Sequence, residues 1–264
     1  MTDDPAVRLD RDGAVAVLTL QRPARYNALT VELKNALLAA LAELAAAEDV
    51  RALVLTGAGK AFCVGQDLGE HAEALRGDRA TAFDTVTEHY NPIVRGLVDL
   101  PFPVVAAING PCVGAGLGFA LACDLRVAAA GTSFSTAFTG IGLTADSGLS
   151  ASLAHAVGVP RALELLLLGE SFTAEDARDW GLVRTVVPAG EVLDSALELA
   201  RRLAAGPTRA YAEVRRAVRY GATAALDDVL AAEALAQARL AATSDHVQAV
   251  AAFVEKRRPT FEGR

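Results

Sequence analysis

At 264 residues, 52% hydrophobic and 22% charged, the chain can bury a substantial core, and its composition is that of a globular rather than a disordered protein. The net charge of −7 argues against a nucleic-acid or anionic-membrane surface, although a local basic patch stays compatible with phosphate. Three widely spaced cysteines, Cys63, Cys112 and Cys123, point to a reducing compartment. The acidic opening MTDDPAVRLD lacks an apolar run, no stretch is long enough to span a membrane, and a cytoplasmic protein is expected.

In chain order, AVAVLTL (14–20) is predicted to be a buried strand and RPARYNAL a turn. A helix follows from an N-cap at Thr30, with Leu33, Leu37, Leu41 and Leu44 at helical spacing up to about Asp49. ALVLTG (52–57) is a second buried strand, ending in the glycine-rich turn GAGKAFCVGQDL. The polar segment from Glu70 to about Arg79 is expected to be a mobile loop. A helix carrying Tyr90, Ile93, Val94 and Leu97 stops at PFP. VVAAI (104–108) is a third strand, followed by NGPCVGAGLGFALA, and DLRVAA (124–129) a short fourth. Helices then cover about 148–157, 160–168, 173–180, 191–205, 208–220, 224–242 and 245–256. Strands alternating with helices, then helices alone, indicate an α/β core with a helical C-terminal part. The boundary is expected at Gly206-Pro207, dividing 1–206 from 207–264. The Ala-rich helices beyond it carry more apolar surface than a lone appendage can hide, so they are expected to pack on another subunit.

Strand, glycine-rich turn and helix occur twice, at 52–68 and 104–122. Such turns aim backbone N–H groups into one space, and two facing turns can hold an oxyanion. GAGLG (114–118) lacks the G-x-G-x-x-G spacing and the downstream acid of a dinucleotide site, and no Gly-Lys-Ser/Thr marks a P-loop. The glycines are equally compatible with tight helix–strand packing alone. FTGIGLTADSGLSASLAHAVG (138–158) sets one reliably charged residue, Asp146, in apolar company, as a helix N-cap or as a proton-transfer group. Ser147 beside it is an alternative cap.

RPARYNAL, GKAFCVGQDL, NGPCVGAGLGFALACDLRVA, ESFTAEDARDWGLV and AAFVEKRRPTF, in this order, resemble the crotonase (enoyl-CoA hydratase/isomerase) superfamily. FCVGQDL, HYNPIVRGL and the Asp146 region look most like the 1,2-epoxyphenylacetyl-CoA isomerases of phenylacetate catabolism. The resemblance implies a right-handed spiral of ββα turns, with a C-terminal helical region that trimerises and trimers that pair into hexamers. It implies chemistry on an acyl-CoA thioester, through an enolate held by the N–H groups of Gln66 and Ala115. It also implies substrate or CoA contacts at Arg25, Ala61, Val64, Gly65, Asp67 and Leu68, and at Gly114 and Phe138. Phe253 and Lys256 would touch the CoA of a neighbouring subunit, though the Lys256-Arg257-Arg258 run is also an ordinary solvated helix end.

The two glutamates of the family's hydratases are absent, their positions being Gly118 and Phe138. The resemblance therefore favours Asp146 as the sole acid/base of an isomerase, with no cofactor beyond the CoA of the substrate. Relatives with dehalogenase activity pair an aspartate at the Asp146 position with a tryptophan where Phe138 stands. A hydratase, a dehalogenase-like hydrolase and a non-catalytic acyl-CoA-binding protein are the alternatives. No His, Cys, Asp or Glu spacing suggests a metal. His71 is expected in a lid or solvated loop, Cys63 and Trp180 in packing, and Asp67 on the turn.

Overall fold

The computed structural model describes residues 5–77 and 81–264. Met1–Asp4, part of the acidic opening, and Asp78 and Arg79, the end of the expected loop, lie outside the described residues. A strand not read from the sequence comes first: β1 (Val7–Asp12) pairs antiparallel with β2 (Val15–Leu20). Its charged VRLDRD pattern is mostly exposed, as an edge strand permits. Then comes α1 (Val31–Ala46), capped by Thr30, whose Oγ1 accepts the Leu33 N–H at 3.3 Å. The expected leucines of α1 are buried, and so is Lys34. β3 (Ala52–Gly57) lies parallel to β2.

The expected mobile loop is instead largely a helix, α2 (Leu68–Gly77). Asp67 accounts for the difference, since its Oδ1 accepts the Gly69 and Glu70 N–H groups and so starts the helix. A π-helical turn (Val86–Tyr90) then runs into α3 (Asn91–Asp99). From there the chain alternates between layers: β4 (Val104–Ile108), β5 (Cys112–Val113), α4 (Ala115–Ala122), β6 (Leu125–Ala129) and β7 (Ser133–Ser135). α5 (Leu149–Val157), α6 (Val159–Leu168), β8 (Phe172–Thr173), α7 (Ala174–Asp179), β9 (Thr185–Val187) and α8 (Val192–Ala204) follow. α9 (Thr208–Gly221), α10 (Leu226–Ala241) and α11 (Ser244–Val254) complete the order.

The strands form a six-stranded sheet, β1-β2-β3-β4-β6-β9, and a three-stranded sheet, β5-β7-β8. β4 and β6 belong to the first and β5 and β7 to the second, so from β4 onward the chain passes back and forth between the two sheets. The central strands β2, β3 and β4 are buried on both faces, as their unbroken apolar sequences require. Leu53 and Leu55 face a core shared with α1, α3 and α4, while Ala52 and Val54 face Val192, Ala196, Ala200 and Ala204 of α8. Beyond α8, Arg51 binds the Gly206 carbonyl at 2.6 Å, Thr208 Oγ1 at 2.9 Å and the Phe261 carbonyl at 3.0 Å. Arg215 and Arg219 of α9 clasp Asp124 at 2.7 and 2.8 Å. Among the described residues no helix is long and apolar enough to cross a membrane.

Candidate active site

The two glycine turns meet because residues 63–67 run between Leu29 on one side and Cys112–Ala115 on the other. Leu29 donates to the Gly65 carbonyl and accepts the Asp67 N–H. Backbone groups alternate along an extended chain, so the intervening Gln66 N–H turns the other way, toward the second turn. Gly65 (φ +81°) makes the approach possible, because a Cβ there would lie 3.1 Å from the Val113 carbonyl oxygen and 3.4 Å from the Ala115 nitrogen. Ala115 is the first residue of α4, so its N–H has no acceptor within the helix and sits at the positive end of the dipole. Among the described residues neither N–H donates to another backbone group.

Both turns open into a cavity of about 570 Å³. Gln66, Ala115 and Asp146 line it, as do Val64, Gly65, Asp67 and Leu68 from the first turn, Gly114 from the second, Arg25 from the turn before α1 and Phe138 from the segment after β7. Ala61, Phe253 and Lys256 do not. Ala61 is fully buried and its carbonyl accepts the Asn27 side-chain N–H at 2.8 Å. Phe253, near the end of α11, is 84% exposed. Tyr90, Thr136 and Ile141 join the wall although their chemistry was not read from the sequence. For Tyr90 the available signal was its place in HYNPIVRGL.

Two carboxylates face the cavity among the described residues, and their states differ. Asp67 accepts Arg22 Nη1 at 3.1 Å besides the two N–H groups of α2. Burial disfavours its charge, but these donors prevail and hold it below the ordinary carboxylate range. Asp146 is half-buried, and burial raises its pKa against the opposing Ser147 hydroxyl, which donates to Oδ1 at 2.8 Å. Neither side chain serves as the helix cap anticipated for Asp146 or Ser147. α5 begins after Gly148 with no side-chain cap, and the group that accepts the Leu149 N–H is the Asp146 carbonyl. Both hydroxyl and carboxylate are turned to each other instead.

Gly118, on α4, packs directly under this loop, where a Cβ would fall 2.6 Å from that of Ser147. The Tyr90 hydroxyl donates to Gln66 Oε1, which also lies 3.4 Å from Lys34 Nζ. Burial and then the Asp146 charge raise the Tyr90 pKa, so its phenol stays protonated. The Cys63 thiol is pushed up to about 12 by burial, against a hydrogen bond from Gly65, and donates to the Asn27 carbonyl. It is packed and unreactive. His71 stands on α2, not in a loop, edge-on to Phe83. Trp180 packs on Phe172 beneath Arg161. Among the described residues no three metal-ligating side chains gather. A cavity of about 610 Å³ between α5 and α9 has its one carboxylate, Asp124, engaged by Arg215 and Arg219.

Residues 10–264 match the model of the enoyl-CoA hydratase/isomerase family. A Rhodobacter capsulatus protein named a probable enoyl-CoA hydratase is 40% identical over 260 residues, 98% of each chain. The 1,2-epoxyphenylacetyl-CoA isomerase of Escherichia coli K12 is 38% identical over 250 residues, 95% of each. A Mycobacterium abscessus crystal structure, assigned provisionally as an enoyl-CoA hydratase/isomerase, superposes with a TM-score of 0.94 at 52% identity, covering 98% of this chain and 100% of that one. Two converging glycine turns, the alternation between two sheets and near-complete alignment agree: the chain is an enzyme of the enoyl-CoA hydratase/isomerase, or crotonase, family and has the crotonase fold.

Proposed function

We propose that this enzyme is an acyl-CoA isomerase that shifts a double bond through a thioester enolate, with Asp146 as its one acid/base. The thioester carbonyl oxygen of a 3-enoyl-CoA sits between the N–H groups of Gln66 and Ala115. Asp146 removes a proton from the carbon α to the thioester, and the electron pair passes into the carbonyl. The enolate oxygen accepts both N–H groups, each worth about 10²–10³ in rate. The carboxylic acid returns the proton at the γ carbon, giving the 2-enoyl-CoA and regenerating the carboxylate. Water is not consumed and no cofactor is required, coenzyme A entering with the substrate.

The observation that carries this reading is the state of the two cavity carboxylates. Asp67 is tied to Arg22 and the start of α2, whereas Asp146 has a raised pKa and a single hydroxyl partner. The two-glutamate hydration of the family needs two free carboxyl groups, and Gly118 and Phe138 supply neither. The E. coli relative's name and the apolar Phe138 and Ile141 in the wall support an aromatic variant of the reaction. There the polarised thioester would open the epoxide of an epoxyphenylacetyl-CoA and expand the ring to an oxepin. The Rhodobacter relative's name favours hydration as the second reading, with Asp146 alone activating water.

Parallel incubation with a 3-enoyl-CoA and with crotonyl-CoA separates the two. A double-bond shift in the first with negligible hydration of the second supports the isomerase, and rapid formation of 3-hydroxybutyryl-CoA rules it out. The same reading makes the protein a homotrimer or homohexamer in a reducing, cytoplasmic setting. Its supports are α10, which buries no residue, and Leu226, Leu235 and Phe253, exposed by 71, 62 and 84%.

A further inference from the structure

The reaction uses the backbone N–H of Gln66 and leaves its amide side chain unassigned. That side chain is a partition. It lines the 570 Å³ cavity on one side and a cavity of about 270 Å³ on the other, where Lys34, His71, Thr85 and His89 stand. Its Oε1 is approached by the Tyr90 hydroxyl from the substrate side and by Lys34 Nζ, at 3.4 Å, from behind.

Lys34 has no accessible surface, and among the described residues no carboxylate pairs with it. Glu70 and Asp67 act on it only at longer range, against the burial that lowers its pKa. Nζ donates to Thr85 Oγ1 at 2.6 Å and lies 5.4 Å from the centre of the Tyr90 ring. Thr85 accepts this proton, so its own hydroxyl hydrogen is free for His89 Nδ1 at 3.2 Å. A buried cation without a contacting carboxylate is costly. The packing of α1 does not call for one, since Leu33, Leu37, Leu41 and Leu44 fill the same helix face region with apolar groups.

We infer that Lys34 is a positioning residue for enolate formation, acting through Gln66: it clamps the amide partition and sets a fixed positive charge behind the turn that receives the enolate oxygen. This rests on the enolate reading above. A charge placed by folding near a developing oxyanion favours the enolate over the neutral thioester, and needs no reorganisation when the proton leaves.

Acetoacetyl-CoA tests this, because loss of its C2 proton gives an enolate that absorbs in the near ultraviolet. A CoA thioether without the carbonyl oxygen is the control for binding. Lys34→Met keeps the length and apolar stem while removing charge and donor. The expected result is bound acetoacetyl-CoA enolised about tenfold less than by the parent, with thioether affinity within about twofold. Equal enolisation by the folded variant overturns the inference, and so does a parallel loss of thioether affinity, which would mean a collapsed site. Should Lys34→Met fail to fold, Thr85→Val retains the charge but removes the amine's closest partner, and about threefold weaker enolisation is expected; no change overturns the inference. A parent that binds acetoacetyl-CoA without enolising it removes the enolate reading as well, whereas normal parent enolisation with an unaffected variant removes only the role of Lys34.

Discussion

Gly118 and Ser147 touch so closely that no side chain fits at position 118: a Cβ there would stand 2.6 Å from the Ser147 Cβ and 2.9 Å from its carbonyl oxygen. Gly118, a position where the resemblance sets a hydratase glutamate, is thus closed to any side chain by the loop that carries Asp146. Restoring the glutamate would displace the loop.

Gly118→Glu is accordingly expected to gain no hydration of crotonyl-CoA and to lose isomerisation. Overpacking of this kind costs about 1–3 kcal/mol, which denaturant unfolding will register. A stable variant that hydrates crotonyl-CoA rapidly would show that the loop yields and that the two chemistries are one substitution apart.

Asp146→Asn preserves size and removes the base. General-base catalysis contributes about 10²–10⁴-fold, so turnover of a 3-enoyl-CoA should fall by that order while acyl-CoA affinity changes little. Because the Asp146 carboxylate caps no helix, normal folding is expected, and circular dichroism checks it. Undiminished turnover would leave the carboxylate without a catalytic role.

The pH profile carries a second signature of the same group. Asp146 must be ionised to accept a proton, and burial raises its pKa, so the acid limb of kcat/KM lies above the ordinary carboxylate range. The Ser147 hydroxyl opposes that shift. Ser147→Ala removes the opposition, so the limb should move to higher pH; a shift to lower pH contradicts the hydrogen-bond assignment. The stability sign is opposite to that of a salt-bridged acid. With a folded pKa above the unfolded one, the folded state holds this proton more tightly, so its contribution to stability falls as pH rises between the two values.

Light scattering at micromolar concentration should return a trimer or a pair of trimers. α10 buries nothing in the single chain, and Val250, Phe253 and Val254 of α11 are exposed. A stable monomer would leave Phe253 and Lys256 outside any acyl-CoA site, since neither reaches the cavity of its own chain.

Long apolar elements were legible in the sequence. β3, β4 and the Thr30-capped α1 follow from pattern and cap alone, and the later helices begin and end close to their expected limits. What escaped was short or defined by a distant partner. β5, β7 and β8 are two or three residues long and exist only because they pair with one another. α2 depends on Asp67 turning its carboxylate onto two N–H groups, a choice that polar composition does not disclose. In the site, the glycine turns and the isolated Asp146 were visible. The direction of the Gln66 N–H was not, because it is fixed by the bridge to Leu29. Lys34 carried no signal either: a lysine on an amphipathic helix reads as solvated, and only the fold shows it enclosed.

Arg51 joins the end of the large sheet to Gly206, Thr208 and Phe261, the last of these 210 positions further along the chain. On the ribosome the guanidinium has to wait for residue 261 to be made before its set of carbonyl partners is complete. Loop closure over such a separation is entropically late. The sheet and its glycine turns can therefore assemble before residue 261 is made, and this latch closes on a core already in place.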